Sequence, residues 1–192
     1  RLKRNEPQLA QRAFERALER FPKGEMSNQC RLGLADSLLA QGAMDEAIRF
    51  YDFIKTQKDN PFVGEAGLAL GKIWFQRSDL KKSRGNLEYA IQNLNSKPKR
   101  IETKYWLARC DIEAGNFAEA VSIIQSIVDQ PMPSEMKAAI LFDGAIGSFK
   151  ANQPETAEKW LVQLQQEWPN TRWAASALEM RVDIAYSQQD WD

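Results

Sequence analysis

The chain has 192 residues, with 26 Lys and Arg balanced by 26 Asp and Glu, 43% apolar residues, two Cys and no His. That apolar fraction is too high for a disordered chain, and zero net charge lacks the basic excess expected of a general nucleic-acid binder. The absence of His removes the commonest general base and metal ligand near neutral pH, and no apolar run approaches the ~18–20 residues needed to span a bilayer.

Helical periodicity runs through the sequence from the start. The first helix is predicted over 7–21, with Ala10, Phe14 and Ala17 on one face and Phe21-Pro22 at its end. A second, over 27–41, carries Leu34, Ala35 and Leu38 and closes at Gly42. The third, over 44–58, is started near Asp45, repeats the first face as Ala47, Tyr51 and Ile54, and stops before Asn60-Pro61. A fourth, over 62–77, has Leu70, Gly71 and Trp74 and closes at Ser78. The fifth, over 80–95, follows Asp79, carries Ser83, Leu87 and Ala90, and is predicted to end near Pro98. Helices over 100–114 (Leu107, Ala108, Ile112, closing at Gly115) and 117–129 (Ala120, Ile124, Ile127, ending at Gln130-Pro131) follow. Asn116 stands at the start of the second of these. The last three are placed over 134–151, 154–167 and 171–188. They carry Leu141, Phe142 and Ala145; then Ala157, Leu161 and Leu164 after Pro154 and before Trp168-Pro169; then Val182, with Gln189 as the closing residue.

Two interleaved series emerge. Ala10, Ala47, Ser83, Ala120 and Ala157 are spaced 37, 36, 37 and 37, and Ala35, Gly71, Ala108, Ala145 and Val182 are spaced 36, 37, 37 and 37. The mostly small residues of the second series mark the middle of one helix (A), where a partner can approach closely. The first series marks the other helix (B). The expected fold is all-α, an α-solenoid of about ten helices in antiparallel pairs. The whole of 1–192 reads as one array, with repeat units at roughly 1–24, 25–61, 62–98, 99–133, 134–170 and 171–192. The chain starts without Met, Arg1-Leu2-Lys3-Arg4 leads into no apolar signal stretch, and both terminal helices lack repeat partners. The expectation is therefore a processed product or a piece of a longer array.

These residues resemble the tetratricopeptide repeat (TPR) family. Leu34-Ala35, Leu70-Gly71 and Leu107-Ala108 match its helix-A pair. Ala10, Phe14, Ala17 and Pro22 match helix B, as do Ala157, Leu161, Leu164 and Pro169. The stretches from Leu38 to Ala47 and from Ile112 to Ala120 read like its inter-helix turn. The period of 36–37 exceeds the usual 34. Ser83 replaces Ala, and Gly144 and Arg181 replace the helix-A Leu. The longer period, with the segment from Glu167 to Ala174, is similar to bacterial cell-envelope TPR proteins. That likeness implies a periplasmic or envelope location, with the cytoplasm as the alternative.

No reactive constellation was found. Gly64, Gly67 and Gly71 lie three and four apart on a helix face with no preceding strand, so they read as close-packing glycines rather than a phosphate cradle. Asp111 and Glu113 are two apart and do not face each other on a helix. Asp111 holds a position that is apolar elsewhere, and Lys104 is its expected partner. Cys30 and Cys110 read as half-buried small hydrophobes. The sequence thus predicts no enzyme, no cofactor and no metal site.

What the resemblance implies is a right-handed α-solenoid with a groove lined by helices A. Its expected partner-binding residues are Asp36, Lys72, Phe75, Tyr105, Arg109, Phe142, Ile146, Phe149, Asp183 and Tyr186. The position where some family members place Asn for a carboxylate clamp reads Asp36, Lys72, Arg109, Ile146 and Asp183, so that clamp is not matched. Lys72 and Arg109 point to a partner protein or peptide with an acidic segment. Residues 1–100 carry 19 basic and 12 acidic groups and residues 101–192 carry 7 and 14, an asymmetry that also suits head-to-tail self-association. The expected function is a non-catalytic scaffold for a protein or peptide in a multiprotein assembly. The alternatives are a structural spacer of envelope assembly or polysaccharide export, and a regulatory region of a larger enzyme.

Overall fold

In the computed structural model, residues 6–188 are described. Among them stand ten α-helices and no strand. They are α1 (Pro7–Arg20), α2 (Glu25–Ala40), α3 (Met44–Lys55), α4 (Val63–Gln76), α5 (Leu80–Asn93), α6 (Lys97–Ala114), α7 (Phe117–Ile127), α8 (Ser134–Lys150), α9 (Pro154–Glu167) and α10 (Arg172–Gln188). The predicted helices are all present, each end within three residues of its expected place.

Local chemistry sets the turns. Gly42 and Gly115 have φ of 81°, Ser78 of 58° and Asn152 of 59°. In each turn the residue after this left-handed one bonds back across the helix end: Ala43 N–H to Leu38 O, Asp79 to Trp74, Asn116 to Asp111 and Gln153 to Ser148, at 2.8–3.0 Å. This is the Schellman closure that the Gly/Asn series anticipated. Gln189 lies outside the described residues. Pro7 and Pro154 open α1 and α9, where a missing N–H costs nothing.

Two local expectations change. Asp45 sits inside the first turn of α3, and Ala43 holds the cap position. Asp79 does cap α5, its Oδ1 accepting Lys82 N–H at 3.0 Å; Asn116 holds the cap position of α7 as expected but makes no side-chain cap bond, its amide turning back to Asp111 Oδ1 at 3.5 Å. Pro98 ends nothing: α5 stops at Asn93, and Pro98 lies in the first turn of α6.

The chain divides into two compact units, residues 1–103 and 104–192. In the first, α1 packs on α2, α2 on α3, α3 on α4 and α4 on α5. Its core joins Leu34, Leu38, Tyr51, Ile54, Leu70 and Ile73. Gly71 and Gly67 allow the α4–α5 approach. A Cβ on Gly71 would lie 2.5 Å from the Leu87 side chain, and one on Gly67 would lie 3.1 Å from Tyr89. Ser83 is buried where other repeats have Ala, and its hydroxyl donates to Gly71 O at 2.8 Å.

In the second unit α7 packs on α8, α8 on α9, and α10 on both α9 and α8. Ile124, Ile127, Ile140, Leu141, Leu161 and Leu164 are buried there. Ala35, Ala108 and Ala145 of the small-residue series are fully buried, but Val182 on α10 is 63% exposed and makes no such close approach. Cys30 and Cys110 are buried outright rather than half-buried.

Candidate functional site

The predicted binding positions fall on α2 and α4 in the first unit, and on α6, α8 and α10 in the second. In the first unit the charges are already matched to one another. Lys72 Nζ on α4 meets Glu102 Oε1 on α6 at 2.9 Å, and Lys99 Nζ on α6 meets Glu65 Oε1 on α4 at 2.9 Å. Asp36 Oδ1 accepts the Tyr51 hydroxyl at 2.6 Å. Although Asp36 is open on one side, the protein around it raises its carboxyl above the ordinary range. The Tyr51 bond and the Lys99 charge partly oppose that shift. Burial beside Asp36 pushes the Tyr51 phenol well up, so it remains a donor. Phe75 is half-buried on α4.

The second unit gathers three predicted positions of α6 and α8, Tyr105, Arg109 and Ile146, near one carboxylate. Asp143 Oδ2 accepts the Tyr105 hydroxyl at 2.7 Å and lies 3.5 Å from Arg109 Nε. The Arg109 guanidinium also rests 4.7 Å from the Trp106 ring centroid, within cation–π range. Burial raises the Asp143 carboxyl, the Tyr105 bond and the Arg109 charge pull it back, and Glu113 adds to the rise. Beside this pair lies a cleft of about 420 Å³. Arg109, Glu113, Asp143 and Lys150 frame it, with Ile112, Phe117 and Ile146 supplying apolar wall. Four charged groups of both signs around an apolar wall suit a segment of polypeptide, whose amides need polar partners while its side chain needs burial.

The structure therefore unites Tyr105, Arg109 and Ile146, and leaves the others apart from this cleft. Phe142 and Phe149 are half-buried in α8, while Asp183 is exposed on α10 and Tyr186 is 67% exposed. Lys104 hydrogen-bonds Ser126 Oγ at 3.3 Å, and Asp111 Oδ1 receives Asn116 instead of the expected lysine. Sequence reasoning missed Asp143, Glu102, Glu65, Lys99, Lys150 and Phe117. A signal existed for two of the pairs: Glu65 and Lys99, like Arg109 and Asp143, are 34 residues apart. That is one repeat less about one turn, the offset at which long side chains on successive helices A meet. Among the described residues no group of three or more His, Cys, Asp or Glu is arranged to hold a metal ion, and no helix is long and apolar enough to cross a membrane.

Residues 1–57 match one family model described as a tetratricopeptide repeat, and residues 102–131 match a second with the same description. No curated protein matches the chain in sequence. Solved structures do resemble it in fold. BtubC (BKLC) from P. vanneervenii is 15% identical, covering 86% of this chain and 74% of that one with a TM-score of 0.74. PilF of Pseudomonas aeruginosa is 15% identical over 98% of this chain and 80% of that one, with a TM-score of 0.72. YrrB, described as a TPR protein with an unusual peptide-binding site, is 17% identical over 92% and 86%, with a TM-score of 0.69.

Proposed function

We propose, on the premise that this chain is built of tetratricopeptide repeats, that it is a non-catalytic scaffold that holds a peptide segment of a partner protein within a multiprotein assembly. The observation that carries the reading is the cleft between α6, α7 and α8, which three helix-A positions, Arg109, Asp143 and Ile146, help to line. An apolar side chain of the partner would rest against Ile112, Ile146 and Phe117. Its backbone and polar neighbours would meet Arg109, Glu113 and Lys150. YrrB, with its described peptide-binding site, supports the same type of ligand for this fold.

The expected acidic segment takes a modified form. Lys72 and Arg109 each already face a carboxylate of their own unit, Glu102 and Asp143. A partner carboxylate would exchange with these groups rather than fill a bare cationic site, so affinity should rest on apolar contact and charge on selectivity.

Photo-crosslinking tests the reading. A benzoylphenylalanine introduced at Glu113 of the full-length protein should give a discrete adduct in cells, lost when Ile146→Arg is added. The same probe at exposed Lys159 on α9 should not give that adduct. Equal capture from both positions, or an adduct indifferent to Ile146→Arg, would refute the cleft as the site.

A further inference from the structure

A different pocket, between α1, α2 and α3, is open for a reason that the repeats themselves reveal. It measures about 460 Å³ and is lined by Leu18, Pro22, Arg31, Arg49, Phe50 and Phe53. None of these is among the helix-A binding positions. In the next repeat the same register positions are Lys55 for Leu18, Gly67 for Arg31, Asn86 for Phe50 and Tyr89 for Phe53. There the space is filled from within. Lys55 Nζ donates to Asn86 Oδ1 at 2.6 Å and sits 4.7 Å from the Tyr89 ring centroid. Tyr89 in turn lies against Gly67, where an added Cβ would come within 3.1 Å.

The first repeat reverses each of these choices. Leu18 carries no head group to lay across the ring. Arg31 replaces the glycine, and its guanidinium lies 5.6 Å from the Phe53 centroid. It is held there by Nη2 donating to Pro22 O at 2.8 Å. Phe53 is left 46% exposed, a large cost in water-facing aromatic surface for a position that the neighbouring repeat packs. The cation that fills the equivalent space in the next repeat would here face the Arg31 and Arg49 guanidiniums. The described lining includes two arginines and no carboxylate.

We propose that this pocket docks a peptide segment of a partner protein that presents an aromatic or large aliphatic side chain next to a carboxylate. The apolar group covers Leu18, Phe50 and Phe53, and the carboxylate meets Arg31 and Arg49. Apart from Arg31 on α2 the lining comes from α1, α3 and the segment after α1, and the pocket shares no lining residue with the cleft beside Asp143.

The test uses the full chain, isotopically labelled, with three small probes of one shape: indole-3-acetate, tryptamine and indole. Indole-3-acetate should shift the amides of Phe50 and Phe53 saturably. Tryptamine should bind at least ~10-fold more weakly, because its ammonium opposes the two guanidiniums. Peptides selected from a random displayed library should pair an aromatic residue with Asp or Glu and be displaced by indole-3-acetate. Phe53→Asp should abolish their binding. Arg31→Ala with Arg49→Ala should keep the aromatic preference and lose the acidic one. Phe53 is largely exposed, and unchanged far-ultraviolet circular dichroism would show that its substitution spares the fold. Equal binding of tryptamine or indole would overturn the proposal in favour of an uncharged apolar ligand. Self-association of the chain in sedimentation, abolished by Phe53→Asp, would overturn it in favour of a second copy.

Discussion

Replacing Gly144 with Ala should destabilise residues 104–192, against the usual effect of that change inside a helix. Gly144 lies within α8, where Ala is favoured over Gly by about 1 kcal/mol. A Cβ there would stand 2.7 Å from Cε3 and Cζ3 of Trp160 and 3.0 Å from Cγ2 of Ile124. Trp160 is only 5% exposed and Ile124 is fully buried, so a rigid ring must move against packed neighbours. Overpacking of this kind costs about 1–3 kcal/mol, which leaves a net loss of about 1 kcal/mol once the propensity gain is subtracted. The register explains why the glycine is there. Other repeats have Leu34, Leu70 and Leu107 at this position, and Phe50, Asn86 and Ile123 where Trp160 stands. Gly144 and Trp160 are thus a volume exchange. Gly144→Leu alone should be worse than Gly144→Ala, and Trp160→Ile alone should leave a void. The double variant recreates the Leu107–Ile123 combination and should recover about 0.5–3 kcal/mol relative to the sum of the singles. Urea titrations followed by far-ultraviolet circular dichroism provide the assay, compared by midpoint because repeat arrays need not unfold in two states. A Gly144→Ala midpoint at or above wild type, or a double variant no better than the sum, would refute the reasoning.

Gly85 supplies the opposite case: it is exposed within α5 and a Cβ there would meet nothing within 4 Å. Gly85→Ala should therefore raise stability by about 0.5–1 kcal/mol in the same titration. Asp143 predicts a pH dependence. Burial lifts its carboxyl above its ordinary value of 3.8, so the folded state binds the proton more tightly than the unfolded one. Its contribution is then greatest below that value and is lost as pH rises through the folded pKa. The stability of wild type minus that of Asp143→Asn should fall across this window, and a difference that grows with pH would contradict the assignment. Tyr105→Phe removes the hydroxyl that Asp143 accepts at 2.7 Å. It should cost about 1–3 kcal/mol, measured by thermal melting, because a half-buried carboxylate loses a donor.

Much of the fold was legible because each repeat states it again. A turn residue in the left-handed region, a small residue in mid-helix and an Ala-led apolar triplet recur at nearly one period, so a doubtful position is corrected by its equivalents. Ser78 and Ser83 are examples: neither fits its consensus alone, yet both fill the place that the register assigns. Pro98 misled because proline both stops one helix and opens the next, and only the length of the preceding segment separates the two uses. The binding surface was less legible. Periodicity reports which face a residue is on, but not which side chains meet across helices that are 30–38 residues apart. Asp143 was overlooked for that reason. It is a single acid in an otherwise apolar stretch of α8, and its meaning depends on Tyr105 and Arg109 one repeat earlier.

The internal pairing of the helix-A charges changes how any partner must be found. Alanine at Lys72 or Arg109 does two things at once: it removes a cation from the surface and exposes Glu102 or Asp143 to a partner. A loss of binding after either change would therefore not distinguish lost attraction from new repulsion. Neutralising the carboxylate separates them. If a partner carboxylate exchanges with Asp143 for Arg109, then Asp143→Asn removes one competitor for the guanidinium and binding strengthens while Arg109→Ala weakens it. If Arg109 serves only to hold Asp143 and Tyr105 in place, both substitutions weaken binding together. The opposite signs follow from exchange alone, since a cation shared between two competing carboxylates gains for one what it loses for the other.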